Sequence, residues 1–192
     1  HQCFQYCMNK VLERVDREVR VWKEESEVNT HKKVPDKKFL ILSTPRTGST
    51  ALCNNLSKNG FGDVREYFNE LVLNKYRESL NGTPIKFENY LQVAFNHGLN
   101  HEKIFGVNVL INQFISLIAR KINILGLKYD KIYLLERRNK LKQAYSLMKS
   151  EKTFIYTSDI LDLAQMKYGE IEVEADEVHF SLCLNKILSE EA

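Results

Sequence analysis

From Phe4 to Trp22 apolar residues recur at steps of three and four, at Phe4, Met8, Val11, Leu12, Val15, Val19 and Trp22, with Lys10, Glu13, Arg14, Arg17 and Glu18 interleaved. That period predicts an amphipathic helix over 2–28. Asn29 to Lys37, with His31, Lys32, Lys33, Pro35 and Asp36, has no such period and is expected to be a linker. The pattern then changes to short apolar runs, each followed by a helical period. Phe39–Leu42, Lys103–Leu110 and Lys131–Glu136 suit buried parallel strands. Helical patterns follow them: Ala51, Leu52 and Leu56 up to a stop at Gly60; Phe114, Leu117, Ile118 and Ile122; and Leu141, Ala144, Tyr145 and Leu147. Further helices are expected around Leu71, Val72 and Tyr76, ending at Asn81-Gly82-Thr83-Pro84, then over about 85–97, about 158–168 and about 176–188, with Thr153 to Tyr156 extended or irregular. Strands alternating with helices imply an α/β domain with a central parallel sheet over 38–192, preceded by the N-terminal helix and linker of 1–37.

The stretch Ser43-Thr44-Pro45-Arg46-Thr47-Gly48-Ser49-Thr50 joins the first strand to the next helix. A helix N-terminus carries about half a positive charge and several unpaired N–H groups, worth roughly 0.3–2 kcal/mol to a bound anion. Arg46 adds a planar fork whose charged hydrogen bonds contribute about 1.5–3 kcal/mol each. Gly48 allows close backbone approach, and Ser49 and Thr50 can cap the helix or donate to an oxyanion. The order departs from Gly, four residues, Gly-Lys-Ser/Thr, which disfavours an ordinary ATPase or GTPase. A second cationic loop, Arg137-Arg138-Asn139-Lys140, follows the third strand. Cations at a helix start oppose the dipole unless an anion binds there, and ligands of open parallel sheets sit outside the carboxyl ends of the strands.

The rest of the composition narrows the choices. A net charge of +3, from 28 Lys and Arg against 25 Asp and Glu, gives no global support for nucleic-acid binding. No run approaches the roughly 18 apolar residues of a membrane span, so no integral membrane segment is expected. Cys3, Cys7, Cys53 and Cys183 are not spaced as a disulfide framework or zinc module, and a reducing, cytoplasmic setting without a metal is expected. Cys3 and Cys7, one turn apart, read as small apolar residues because no second pair is placed to complete four ligands. His97 and His101 flank Gly98 and read as solvated loop residues. Glu66 reads as a favourable first-turn helix residue. The N-terminal helix can pack on its own domain or pair two copies into a homodimer.

Three blocks in order, Leu42 to Thr50, Arg65-Glu66-Tyr67-Phe68 and Arg137 to Ser146, resemble the sulfotransferases, most closely the trehalose 2-sulfotransferase type. The resemblance implies a P-loop-like three-layer fold that binds 3′-phosphoadenosine 5′-phosphosulfate without a metal and transfers its sulfuryl group to a hydroxyl of a small carbohydrate or glycolipid. Pro45, Arg46, Thr47, Gly48, Ser49 and Thr50 would hold the phosphosulfate, Arg137 and Ser146 the 3′-phosphate, and Glu66 would be the general base, with Arg46 also stabilising the transferring group. Asp63-Val64 stands where the family usually has Glu-Pro, and Asn108 where many relatives have Lys. The family's chain continues beyond the equivalent of Ala192, so a domain short at that end is expected. The alternative from a different class is a non-catalytic module of the same type that binds a nucleotide or a protein.

Overall fold

A computed structural model describes residues 2–28, 32–81, 83–119, 122–174 and 176–192. The expected linker positions Asn29 to His31 and the stop residue Gly82 lie outside the described residues. In chain order the elements are α1 (Gln2–Val28), β1 (Lys37–Ser43), α2 (Ser49–Lys58), α3 (Glu70–Ser79), α4 (Phe87–Gly98), β2 (Ile104–Leu110), α5 (Ile111–Ala119), a 3₁₀ turn (Ile124–Leu127), β3 (Lys131–Leu135), α6 (Lys140–Thr153), α7 (Ser158–Tyr168) and α8 (Glu177–Glu191). The chain is thus α/β, with a three-stranded parallel sheet in the order β2-β1-β3. No helix among the described residues is long and apolar enough to cross a membrane. The chain divides into two compact units, one of residues 1–14, 44–47 and 136–192, the other of residues 15–43 and 48–135.

The second unit contains the sheet. Lys37–Ser43 pairs with Ile104–Leu110, and Phe39–Ser43 with Lys131–Leu135, so β1 is central because both its edges are used. Alternate residues of a strand face opposite sides. Ile41 packs with Cys53 of α2 and with Val64, while Phe105 of β2 packs against Phe95 of α4 and against Tyr67. β2 is buried along most of its length, as its apolar run predicts. β3 is not: Ile132, Tyr133 and Leu134 are more than half exposed. Its β-branched and aromatic residues suit a pleated strand without requiring that its faces be covered.

Helix α2 ends as expected at Gly60, whose N–H bonds the Ser57 carbonyl while that of Phe61 bonds Leu56, a left-handed stop that needs the glycine's φ of 83°. Two residues later Gly62 is at φ 86°, and a Cβ there would meet the carbonyl oxygens of Gly98 and Ile104 at 2.6 Å. Both obstacles are backbone and cannot swing aside. Gly62→Ala is therefore expected to cost about 3 kcal/mol or more, combining left-handed strain with steric displacement. An unfolding free energy from urea denaturation within about 0.5 kcal/mol of wild type would contradict this close approach.

In the first unit α6 and α8 pack through Ala144, Leu147, Met148, Cys183 and Ile187, with Phe180 and Leu184 beside them. The start of α1 joins this unit through Phe4, edge-on to Phe154 at 5.3 Å, and Arg14, whose Nη1 reaches Asp159 Oδ2 at 3.0 Å. α6 takes in Thr153, expected to be extended or irregular: Thr153 is its last residue and Phe154, at φ 61°, is its left-handed cap.

Candidate functional site

Three of the predicted anion-binding residues meet within the first unit. Arg46 Nε donates to Ser146 Oγ at 3.0 Å, and its Nη1 donates to the Tyr156 carbonyl at 2.6 Å. Arg137 Nη1 donates to the Arg46 carbonyl at 3.3 Å. Arg46 is partly buried and sits at φ 66°, a conformation few side-chain-bearing residues adopt. Burial, reinforced by the nearby Arg137 charge, lowers its pKa against the opposing effect of Tyr156. Among the described residues neither guanidinium has an ion-paired carboxylate. A guanidinium has five N–H donors, so Arg46 keeps three beyond the two already used.

The loop bearing Arg46 is fixed by a residue outside the sequence prediction. Gln143, fully buried on α6, donates from Nε2 to both Thr44 Oγ1 and the Pro45 carbonyl at 2.8 Å. Thr44 in turn donates to Glu191 Oε1 at 2.9 Å, and Glu191 also pairs with Lys140. Thr47 is turned inward, its hydroxyl donating to the Thr44 carbonyl at 3.0 Å. Arg138 is exposed, and Asn139 caps α6 by accepting from Lys142 N at 2.8 Å. Arg137, Leu141, Lys142, Tyr145 and Phe180 line an open cleft of about 540 Å³, which joins a cation to aromatic surface.

In the second unit, Gly48 is the N-cap of α2 at φ 91° with no side-chain capping bond. The expected capping by Ser49 and Thr50 is therefore not made: both follow the cap, Ser49 buried and Thr50 exposed. The first N–H groups of α2 have no intrahelical acceptor, as at any helix start.

Glu66 is placed differently from the sequence expectation. α3 begins at Glu70 with Asn69 as its cap, so Glu66 precedes the helix and Glu70 is the first-turn acid. The backbone around Glu66 is tied to β2, because Asn108 N–H donates to the Arg65 carbonyl at 3.0 Å. Tyr67 and Phe68 behind it are fully buried. Three carboxamides then address the Glu66 carboxylate: Asn69 Nδ2 at 3.0 Å, Gln113 Nε2 at 3.3 Å and Asn108 Nδ2 at 3.4 Å. Asn108 Oδ1 accepts from Ser43 Oγ at 2.9 Å, which links Glu66 to the carboxyl end of β1. Gln113 also lines a small cleft of about 90 Å³ with Phe68, Glu70, Leu73, Asn112 and Ser116.

His97 is the clearest correction. It lies in the last turn of α4, with Nδ1 2.6 Å from Glu25 Oε2 and Nε2 2.8 Å from Asp63 Oδ2, beside the Trp22 ring. Gly98 is not a loop signal here; a Cβ would strike Tyr67 Oη at 2.7 Å and Phe105 at 2.8 Å. His101, in contrast, is exposed as expected. Burial works against protonated His97, but Asp63 and Glu25 outweigh it and raise its pKa. For Asp63 burial is likewise overcome, by His97 and Arg65, and its pKa falls. His97 thus contributes stability that is complete below about pH 6.5 and is lost as pH rises through its higher folded value. The Asp63 contribution is present above about pH 3.9 and is lost as pH falls through its lower folded value. His97→Gln is expected to cost roughly 1–3 kcal/mol at pH 6 and to flatten the decline above it. Parallel unfolding curves of both proteins from pH 6 to 9 would disprove the charged pairing.

No protein-family model matches the chain, and no curated protein matches it.

Proposed function

We propose that this chain is a sulfotransferase-type domain that binds 3′-phosphoadenosine 5′-phosphosulfate and transfers its sulfuryl group to a carbohydrate or glycolipid hydroxyl, with the P-loop-like fold that such domains have. The observation that carries this reading is the convergence of Arg46, Arg137 and Ser146 with no carboxylate ion-paired to either arginine among the described residues. Two adjacent guanidiniums repel each other, and an anion bearing several charges relieves that repulsion. The parallel sheet adds support: β1 and β3 are neighbours, and Arg46 and Arg137 follow those two strands, the connections that flank a change in strand order. A cleft joining Arg137 to Tyr145 and Phe180 suits a nucleotide, with a charged end for phosphate and rings for a base.

In this proposal the acceptor oxygen attacks sulfur in line, the bond between sulfur and the phosphate oxygen breaks, and 3′-phosphoadenosine 5′-phosphate leaves. By the roles the resemblance gives them, Glu66 would take the hydroxyl proton and Arg46 would stabilise charge on the departing phosphate. The chemistry needs positioning and charge stabilisation, the same demands as phosphoryl transfer.

A second reading, a non-catalytic nucleotide-binding module, is favoured by one observation: the Glu66 carboxylate is already held by three carboxamides, which suits an anchor as well as a base. Calorimetric titration with 3′-phosphoadenosine 5′-phosphate, and separately with ATP plus magnesium, tests the shared part. Binding of the first and not the second is expected. Preference for magnesium ATP would overturn the sulfotransferase reading, and no binding of either would overturn both. Sulfate transfer from labelled cofactor to a panel of sugars then separates enzyme from binding module.

A further inference from the structure

α6 and α8 carry a cluster within the first unit that the proposed transfer does not use. His179 and Cys183 are four residues apart on α8 and so lie on one face of it, toward Glu151 of α6. His179 Nε2 is 2.8 Å and Cys183 Sγ 3.5 Å from the same oxygen, Glu151 Oε2, and the three ligand atoms all lie within 4.8 Å of one another. Cys183 is buried, whereas His179 and Glu151 are each partly open to solvent. The packing of Ala144, Leu147 and Met148 against Ile187 fixes the spacing of the two helices, so the donors are held in place before any ligand arrives.

We propose that Glu151, His179 and Cys183 form a three-ligand site for a divalent transition metal of the zinc class, with a fourth position open to solvent. Imidazole nitrogen, thiolate sulfur and carboxylate oxygen are the donors zinc takes, and three protein ligands leave one position for water or another ligand. An alternative account is a hydrogen-bonded helix clamp, in which Glu151 accepts from His179 and Cys183 and pairs with Lys186 at 3.4 Å. In that clamp the Cys183 thiol donates to Glu151 Oε2. A metal reverses that: a metal–sulfur bond forms, the S–H bond breaks, and the proton leaves to solvent. Lys186, whose side chain is 44% exposed, can swing outward when a second cation reaches Glu151. The position is distinct from Cys3 and Cys7, whose sulfurs are 3.9 Å apart on α1.

The experiment is a cobalt titration of the chelator-stripped full chain, with both Cys3 and Cys7 changed to Ser, followed by displacement with zinc. One equivalent of cobalt should give a thiolate-to-metal charge-transfer band that zinc abolishes. Cys183→Ser should remove the band, and His179→Gln should weaken binding by about 10²-fold or more. Lys186→Met should tighten binding by roughly tenfold, as expected when a neighbouring positive charge is removed. No band in the parent protein, or a band unchanged in Cys183→Ser, would overturn the site. If Cys183→Ser fails to fold, His179→Gln decides, because a partly exposed residue tolerates the change; unaltered cobalt affinity there also overturns the proposal.

Discussion

Replacing Arg46 with Ala should weaken binding of 3′-phosphoadenosine 5′-phosphate by roughly 2–4 kcal/mol, about 30- to 1,000-fold, because a charged two-pronged contact is lost and its anion is left unpaired. Arg46 also has internal bonds, to Ser146 and the Tyr156 carbonyl, so the variant loses loop order as well as charge. Arg46→Lys separates the two contributions: it keeps the charge without the fork and should fall between wild type and Ala. Arg137→Ala supplies the complementary test. It should weaken the 3′-phosphorylated nucleotide and leave adenosine 5′-phosphosulfate, which lacks that phosphate, nearly unaffected. Calorimetry showing equal losses for both ligands would remove Arg137 from the 3′-phosphate role, and unchanged affinity in Arg46→Ala would end the anion-site proposal.

The elements were legible where each required only local information. The 3.6-residue period of α1 and the apolar runs of β1 and β2 specify helix and strand because each side chain's exposure repeats with the local backbone. Arg46 and Arg137 could be paired from sequence by the rule that parallel strands gather their carboxyl-terminal loops. What remained hidden depends on contacts between distant positions. His97 looks solvated beside Gly98, yet its partners Glu25 and Asp63 lie 72 and 34 residues away. Gly98 itself answers to the rings of Tyr67 and Phe105, so its role is close approach rather than turning. Asp63-Val64 looked only like a departure from Glu-Pro; in the fold Asp63 pairs with His97 and Arg65, and Val64 is buried with Ile41. Gln143 carried no signal, because a buried amide serving two loop oxygens is indistinguishable in sequence from a solvated helix residue. The exposure of β3 was hidden for the opposite reason: Ile132 to Leu135 would look the same with its faces covered or open.

Glu66→Gln should slow sulfuryl transfer by about 10²–10⁴-fold with nucleotide affinity unaltered, if Glu66 accepts the proton of the acceptor hydroxyl. Gln keeps the length and one carbonyl oxygen, so it can still accept from Asn69, Asn108 or Gln113, but its amide cannot take the proton. Its NH₂ would point at donors, which requires at least one of the three carboxamides to flip. That repacking is the main confounding cost, about 1–3 kcal/mol if a donor is left unsatisfied. Asn108→Asp in the Glu66→Gln background returns an acceptor to the cluster without restoring a base at position 66. Recovery of stability without recovery of rate would assign the rate loss to the missing base. Recovery of both would instead show that a carboxylate at either position of the cluster suffices, so that position 66 is not the required base. A Glu66→Gln protein turning over at the wild-type rate would exclude Glu66 as base, and His97 could not readily replace it, since both of its ring nitrogens already face carboxylates.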